Sequence, residues 1–218
     1  MSNNDLDDIK NEIQQLIDSN LIKRVIKGTT STTITLDGNE THVCICAVNE
    51  NPSALATMSR TLSNLTVLSE QQSPTNSNNR GCFIQGVYSG FAGSSITITA
   101  NSNISILAIT LCTKKVITGL SKNYYYHATT TTDRFADELD NEKIVILIGS
   151  VSAYRSGSII DSSVYSEVFS KADNASTTNK ALAHISIGKS KSLNLALTND
   201  NDTTVYPRYS AYLAVYLE

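Results

Sequence analysis

Apolar residues recur along this chain with two different periods. From Asn3 to Lys23 the period is helical: Leu6, Ile9, Ile13 and Leu16 follow 3-4-3 spacing, and Asn20 takes the next core position. Written as heptads, position a holds Leu6, Ile13 and Asn20, and position d holds Ile9 and Leu16. Asn3 or Asn4 can cap the start, and Asp5, Asp7 and Asp8 stand where the helix dipole favours negative charge. Lys23 and Arg24 stand at the opposite end. The pattern predicts a helix over residues 1–23 that orients or anchors the chain. Barely two heptads do not hold together alone in water. The helix therefore docks on its own domain or joins copies of the chain in a short parallel coiled coil. Asn at an a position sets register and oligomer number, and the mixed Ile and Leu seam is compatible with a trimer.

From Val25 onward the helical period gives way to short alternating runs. These predict strands near 31–36, 42–48, 64–70, 81–88, 95–100 and 105–112, and again near 124–131, 143–151, 164–170, 181–187, 192–198 and 210–217. The stretches 52–61 and 152–161 read equally as helix or strand. Asp37-Gly38-Asn39 suits a hairpin turn, and Gly90-Phe91-Ala92-Gly93 is a turn between strands. With no βαβ alternation, the expected fold is mainly β: a short N-terminal helix and then two tandem antiparallel sandwich or jelly-roll modules, 24–114 and 115–218.

The two-module reading rests on an internal echo. Arg24-Val25-Ile26-Lys27-Gly28, a Thr-rich segment and His42-Val43-Cys44-Ile45-Cys46-Ala47 open the first half. Roughly ninety residues later Lys115-Val116-Ile117-Thr118-Gly119, Thr129 to Thr132 and Lys143-Ile144-Val145-Ile146-Leu147-Ile148 repeat the plan. The polar loops Ser73–Asn79 and Asp173–Asn179 are equivalent, as are the turns Asn101–Asn103 and Asn199–Asp202. Loops recurring at one position in each module emerge on one face of it.

Composition narrows the function. Charged residues make up 17% of the chain and the net charge is −3, with no basic stripe, so nucleic acid is not an expected partner. No apolar run is long enough to span a bilayer, and no secretion signal precedes the first module, so membrane insertion is not expected. The surface is largely uncharged and polar, rich in Ser, Thr and Asn.

Candidate chemistry is sparse. His42, Cys44 and Cys46 alternate on one strand face, with Cys82 and Cys112 in the same module, and suggest zinc. Same-face strand neighbours lie about 6.6 Å apart, whereas thiolates sharing one zinc ion lie about 3.8 Å apart. The second half places Val145 and Leu147, or Ile146 and Ile148, where the first has these cysteines. Reduced, buried thiols are the expectation, with no metal and no cofactor. His184 lies in a strand without a counterpart in the first half, and no Gly-x-Ser-x-Gly elbow supports a Ser nucleophile. The acidic stretch Asp133, Asp137, Glu138, Asp140 and Glu142 lacks the spacing of a calcium loop and reads as a solvated connection. It is also the one place to seek the paired carboxylates of a polysaccharide hydrolase. The balance points to a protein that is not an enzyme and carries no catalytic residues.

Tyr124-Tyr125-Tyr126-His127 is the most unusual cluster. Tyrosine joins a flat apolar face to a hydroxyl, a combination suited to sugars or protein partners. Core or intersubunit packing explains it equally well. Tyr124, Tyr125 and Tyr126 are the candidate surface-binding residues, and Leu6, Ile9, Ile13, Leu16 and Asn20 the candidate oligomerisation residues.

Leu21-Ile22-Lys23-Arg24-Val25-Ile26-Lys27-Gly28-Thr29-Thr30 resembles the opening of many bacteriophage fibre and minor structural proteins. These often begin β modules with an Ile-Lys-x-Val-x-x-Gly-Thr-like segment before Thr/Ser-rich strands. The match covers about ten residues and the overall organisation. Arg24 and Ile26 depart from it, replacing small or polar residues, and the long shaft of extended tail fibres is missing. The resemblance implies a homotrimeric virion protein, made in the host cytoplasm and fixed by its N-terminal helix to a capsid or tail protein. It implies outer modules that contact a host-surface glycan or protein; a head fibre or decoration protein suits the compact chain. The rival reading is a glycan-binding module of a non-phage surface protein.

Overall fold

The computed structural model describes residues 21–49, 57–73, 82–102, 104–114, 117–127, 131–153, 157–161, 167–176, 179–199 and 208–218. All of its regular elements there are strands. The first half holds β1 (Ile22–Gly28), β2 (Thr32–Thr35), β3 (His42–Asn49), β4 (Met58–Ser63), β5 (Thr66–Ser73), β6 (Phe83–Ser89), β7 (Ser95–Ala100) and β8 (Ile104–Leu111). The second holds β9 (Ile117–His127), β10 (Thr131–Ala153), β11 (Gly157–Asp161), β12 (Glu167–Ser176), β13 (Asn179–Asn199) and β14 (Arg208–Leu217). Every pairing is antiparallel.

The echo in sequence becomes an echo in topology. The first half forms a five-stranded sheet in the order β1-β8-β3-β6-β5 and a three-stranded sheet in the order β2-β7-β4. The second half runs β9-β14-β10-β13, with both β11 and β12 paired to β13. Term by term, β9-β14-β10-β13-β12 answers β1-β8-β3-β6-β5. The start of β10 pairs the end of β13, which pairs β11, and this answers β2-β7-β4. The difference lies at two corners. Asp37–Glu40 and Gly90–Ser94 carry the first-half chain from one sheet to the other, with Gly38 at φ 52 and Gly93 at φ 91. The second half passes the same places with β10 and β13 unbroken, marked only by a register shift between Glu138 and Lys143.

Three apolar clusters separate the resulting layers. One fills the first half between its two sheets, with Val43, Ile45, Ile96, Ile98 and Ile106. Its counterpart holds Val145, Leu147, Leu195, Tyr212 and Tyr216. The third joins the halves: Cys44, Cys46, Leu107 and Ile109 meet Ile146, Ile148, Ile185, Leu213 and Val215. Alternate residues of β3, β8, β10 and β14 thus enter two different cores. A strand buried on both faces needs no polar alternation, so His42–Asn49 and Ile104–Leu111 read as near-continuous apolar runs. Polar pins cross the shared core. Gln85 Nε2 donates to Ser150 Oγ at 2.8 Å and to the Ala211 carbonyl at 3.1 Å, and Cys46 Sγ lies 3.5 Å from the Gly149 carbonyl.

Several expectations change. Leu6, Ile9, Ile13, Leu16 and Asn20 lie outside the described residues. The end of the expected helix does not continue into them as helix: Leu21 is buried in the shared core, and Ile22 pairs Leu111 at the start of β1. The strand pairs with β8 from Ile22 to Gly28, which satisfies its backbone hydrogen bonds without a helix. The Asp37-Gly38 turn closes no hairpin, because β2 pairs β7 while β3 pairs β6 and β8. The acidic run is no loose connection: Asp133–Glu138 pairs Ser192–Leu197. Phe135 and Leu139 pack against the core there and hold the strand down. The two strands expected over 181–187 and 192–198 are one, β13. The ambiguous stretches hold Met58–Ser63 and Gly157–Asp161, both strands.

Candidate binding surface

The tyrosine cluster lies on β9 at the edge of its sheet, where Tyr124, Tyr125 and Tyr126 stand opposite Ala211, Ser210 and Tyr209 of β14. β9 therefore matches β1 in place, and the cluster sits on a paired strand and not in a loop.

Buried charge in the first half is committed to the fold. Glu40, 4% exposed, accepts from Arg24 Nε at 2.6 Å, from the Asp37 amide at 2.8 Å and from Thr110 Oγ1. Burial alone raises its pKa, but the bonds from Arg24, Thr110 and the Asp37 amide outweigh burial and hold the carboxyl below its ordinary value. Glu70 accepts from Arg60 Nε at 2.6 Å, and from the Tyr88 hydroxyl at 2.8 Å. Burial, with Glu70 beside it, pushes the Tyr88 phenol far up. These clusters tie β1 to a corner and β4 to β5. Each carboxylate is neutralised by its own arginine, a structural arrangement and not that of an acid–base pair.

The thiols behave as core. Cys44 and Cys46 face the shared core and Cys82 the first-half core, all free. Burial pushes Cys46 up to about 12 and Cys82 up to about 11, far from the thiolate that metal binding needs. Ile146 and Ile148 occupy the corresponding places on β10, facing the same core. His184 is buried in β13 opposite Gly149.

The outer face of the three-stranded sheet stands apart. Its inward residues, Ile34, Met58, Ile96 and Ile98, fill the core, and its outward residues are all hydroxyl-bearing. Thr61, Thr97 and Thr33 form one row across the strands; Ser63, Ser95 and Thr35 form the next, and Ser59 pairs Thr99. Thr33 Oγ1 and Thr97 Oγ1 share a hydrogen bond of 2.9 Å. At the end of this face lies the turn Gly90–Ser94, which carries Phe91, 63% exposed. The turn is tightly held: Gly93 N donates to the Leu36 carbonyl and Ser94 N to the Phe91 carbonyl, both at 2.9 Å. Ser94 Oγ donates to the Asn64 carbonyl at 3.0 Å. A side chain at Gly90 would meet Ser94 Cβ at 2.8 Å as well as Leu65 Cδ2 at 2.7 Å, so the turn is close-packed around this glycine.

Sequence reasoning noticed the Thr-rich segments but read them only as strand-forming. The alternation Ser59-x-Thr61-x-Ser63 and Ser95-x-Thr97-x-Thr99 carried the signal; that these rows share one face depends on pairings between distant segments. No protein-family model, curated protein or solved structure matches the chain.

Proposed function

We propose that this chain is a non-enzymatic bacteriophage virion protein, a head or tail fibre or decoration protein, built as two tandem jelly-roll-like modules over 24–114 and 115–218. The segment ahead of β1 joins three copies and fixes them to a capsid or tail protein. The modules present surfaces to a host glycan or protein, and three copies convert weak single contacts into avidity. The observation that carries this reading is the order β1-β8-β3-β6 against β2-β7-β4, whose strand order the second half follows within a single six-stranded sheet that shares a core with the first. The eight strands of the first half, five in one sheet and three in the other, resemble the jelly roll used in viral capsid and lectin domains. Fold alone does not assign a role; the fibre-like segment Leu21–Thr30 adds the virion. Strands buried on both faces make a stiff platform that leaves outer faces and corners to make contacts, which suits presentation.

Light scattering on the full-length chain tests the assembly. A mass near three times 23.6 kDa is expected, and a clean monomer contradicts the trimer. Incubation with purified host envelope polysaccharide should show retention without release of oligosaccharide; released fragments would overturn the non-enzymatic assignment.

A further inference from the structure

We propose that the hydroxyl face of β2-β7-β4, together with Phe91 at its end, is a site for a neutral glycan chain. The inference rests on the host-surface reading above and names its place and ligand class.

The outward side chains of the face are hydroxyls alone; the Arg24 guanidinium, which donates to the Thr35 carbonyl at its edge, is paired with Glu40. Within a row, neighbours on adjacent strands are about 4.8 Å apart, and successive rows along the strands are about 6.6 Å apart. Each hydroxyl both donates and accepts, so the array matches a polyol whatever the local direction of its hydroxyls. The threonines are stiff about χ1, and the Thr33–Thr97 bond orders the centre further. Little side-chain entropy is lost when a ligand settles on such a face. A carboxylate, sulfate or phosphate would give up hydration here, and the nearby Arg24 is already neutralised by Glu40, which favours uncharged sugars.

This composition is not required by the fold. The corresponding strands of the second half expose Arg134, Ala136, Glu138 and Asn194, with Ala136 opposite Asn194 and Glu138 opposite Ser192. Thr–Thr pairing stabilises an exposed sheet, but the second half folds without a hydroxyl-only face. Phe91 supplies the other half of sugar recognition. The apolar C–H face of a pyranose stacks on an aromatic ring, and Phe91 offers an exposed ring on a turn whose backbone is held at three points. One exposed phenylalanine alone carries no meaning; its place on the turn that leads into Ser95, in the row of Ser63, Ser95 and Thr35, does.

The test uses the full chain and immobilised neutral hexose and N-acetylhexosamine oligosaccharides, beside sialylated and sulfated ones, followed by titration of whichever are retained. Neutral oligosaccharides should bind. Phe91→Ala, and separately Thr33→Val with Thr97→Val, should each weaken binding at least about tenfold. Glu138→Gln, on the corresponding second-half face, should leave it unchanged, and circular dichroism should show all variants folded. Binding lost only on Tyr124→Ala, Tyr125→Ala or Tyr126→Ala overturns this site while sparing the host-surface reading. Retention of anionic glycans alone, or of none, overturns the ligand class. If Thr97→Lys lowers the solution mass of the chain, the face joins copies of the chain and the inference fails. Labelling of virions by antibody separates these failures from failure of the virion reading.

Discussion

Ile146→Ala probes whether the halves are one body. Ile146 is fully buried in the shared core, paired in register with Ile187 on one side and Val215 on the other. The change removes three carbons, or about 2.4 kcal/mol at ~0.8 kcal/mol for each buried carbon. The cavity left between two sheets adds to this, and the total should fall at about 3–4 kcal/mol within the range of such truncations. In a cooperative protein of this size that lowers Tm by roughly 6–16 °C. The decisive readout is spatial. Ile146 belongs to the second half, yet its cavity opens onto the face that carries Cys44, Cys46 and Leu107 of the first. Hydrogen exchange followed by peptide should therefore quicken in β3, β6 and β8 as well as in β10 and β14. If quickening stops at residue 117 and the first half keeps its protection, the shared core contributes no coupling and the reasoning fails.

Other outcomes follow from the same packing. Glu40 has a folded pKa below its unfolded value, so its stabilisation is complete above the ordinary Glu range and is lost as pH falls through the lowered folded value. Glu40→Gln should cost about 1–3 kcal/mol at neutral pH and flatten the acid limb of a stability–pH curve measured by urea denaturation. His42, whose pKa burial depresses, begins the decline earlier, between its ordinary value and its lower folded one. Gly86→Ala would set a Cβ 2.4 Å from the Tyr88 hydroxyl and drive that ring off Glu70. A loss of about 1–3 kcal/mol is expected by thermal melting, larger than the loss in Tyr88→Phe. Thiol reagent at pH 8 should leave Cys44, Cys46 and Cys82 unmodified in the native chain and reach all four cysteines in denaturant. Rapid native labelling of Cys46 would contradict its place in the shared core.

How far the sequence could be read depended on where each signal resides. Period-two runs such as Ser95–Ala100 mark strands locally, and that strand lies where the alternation puts it. The duplication was visible because both halves place apolar runs at matching intervals. Cys44 and Cys46 were legible as core residues because their partners in the repeat are Ile146 and Ile148. What escaped was set by distant pairing. Ile22 and Lys23 read as the end of a helix, and Val25–Gly28 carries no strand expectation; the segment becomes β1 because β8 offers an edge beside it. Asp133–Glu142 looks solvated until Phe135, Leu139 and the Tyr216 hydroxyl, 2.9 Å from Asp137, tie it to the core. The unbroken apolar runs showed burial, but not that the second buried face belonged to the other half. The hydroxyl rows were present as letters, and only the pairing of β4 and β2 with β7 assembled them.

Antibody labelling of purified virus particles tests the central claim most directly. Gold raised against this chain should decorate intact virions at regular sites on head or tail. Particles left bare, with the chain recovered only from infected-cell extract or from a cell surface, would contradict it.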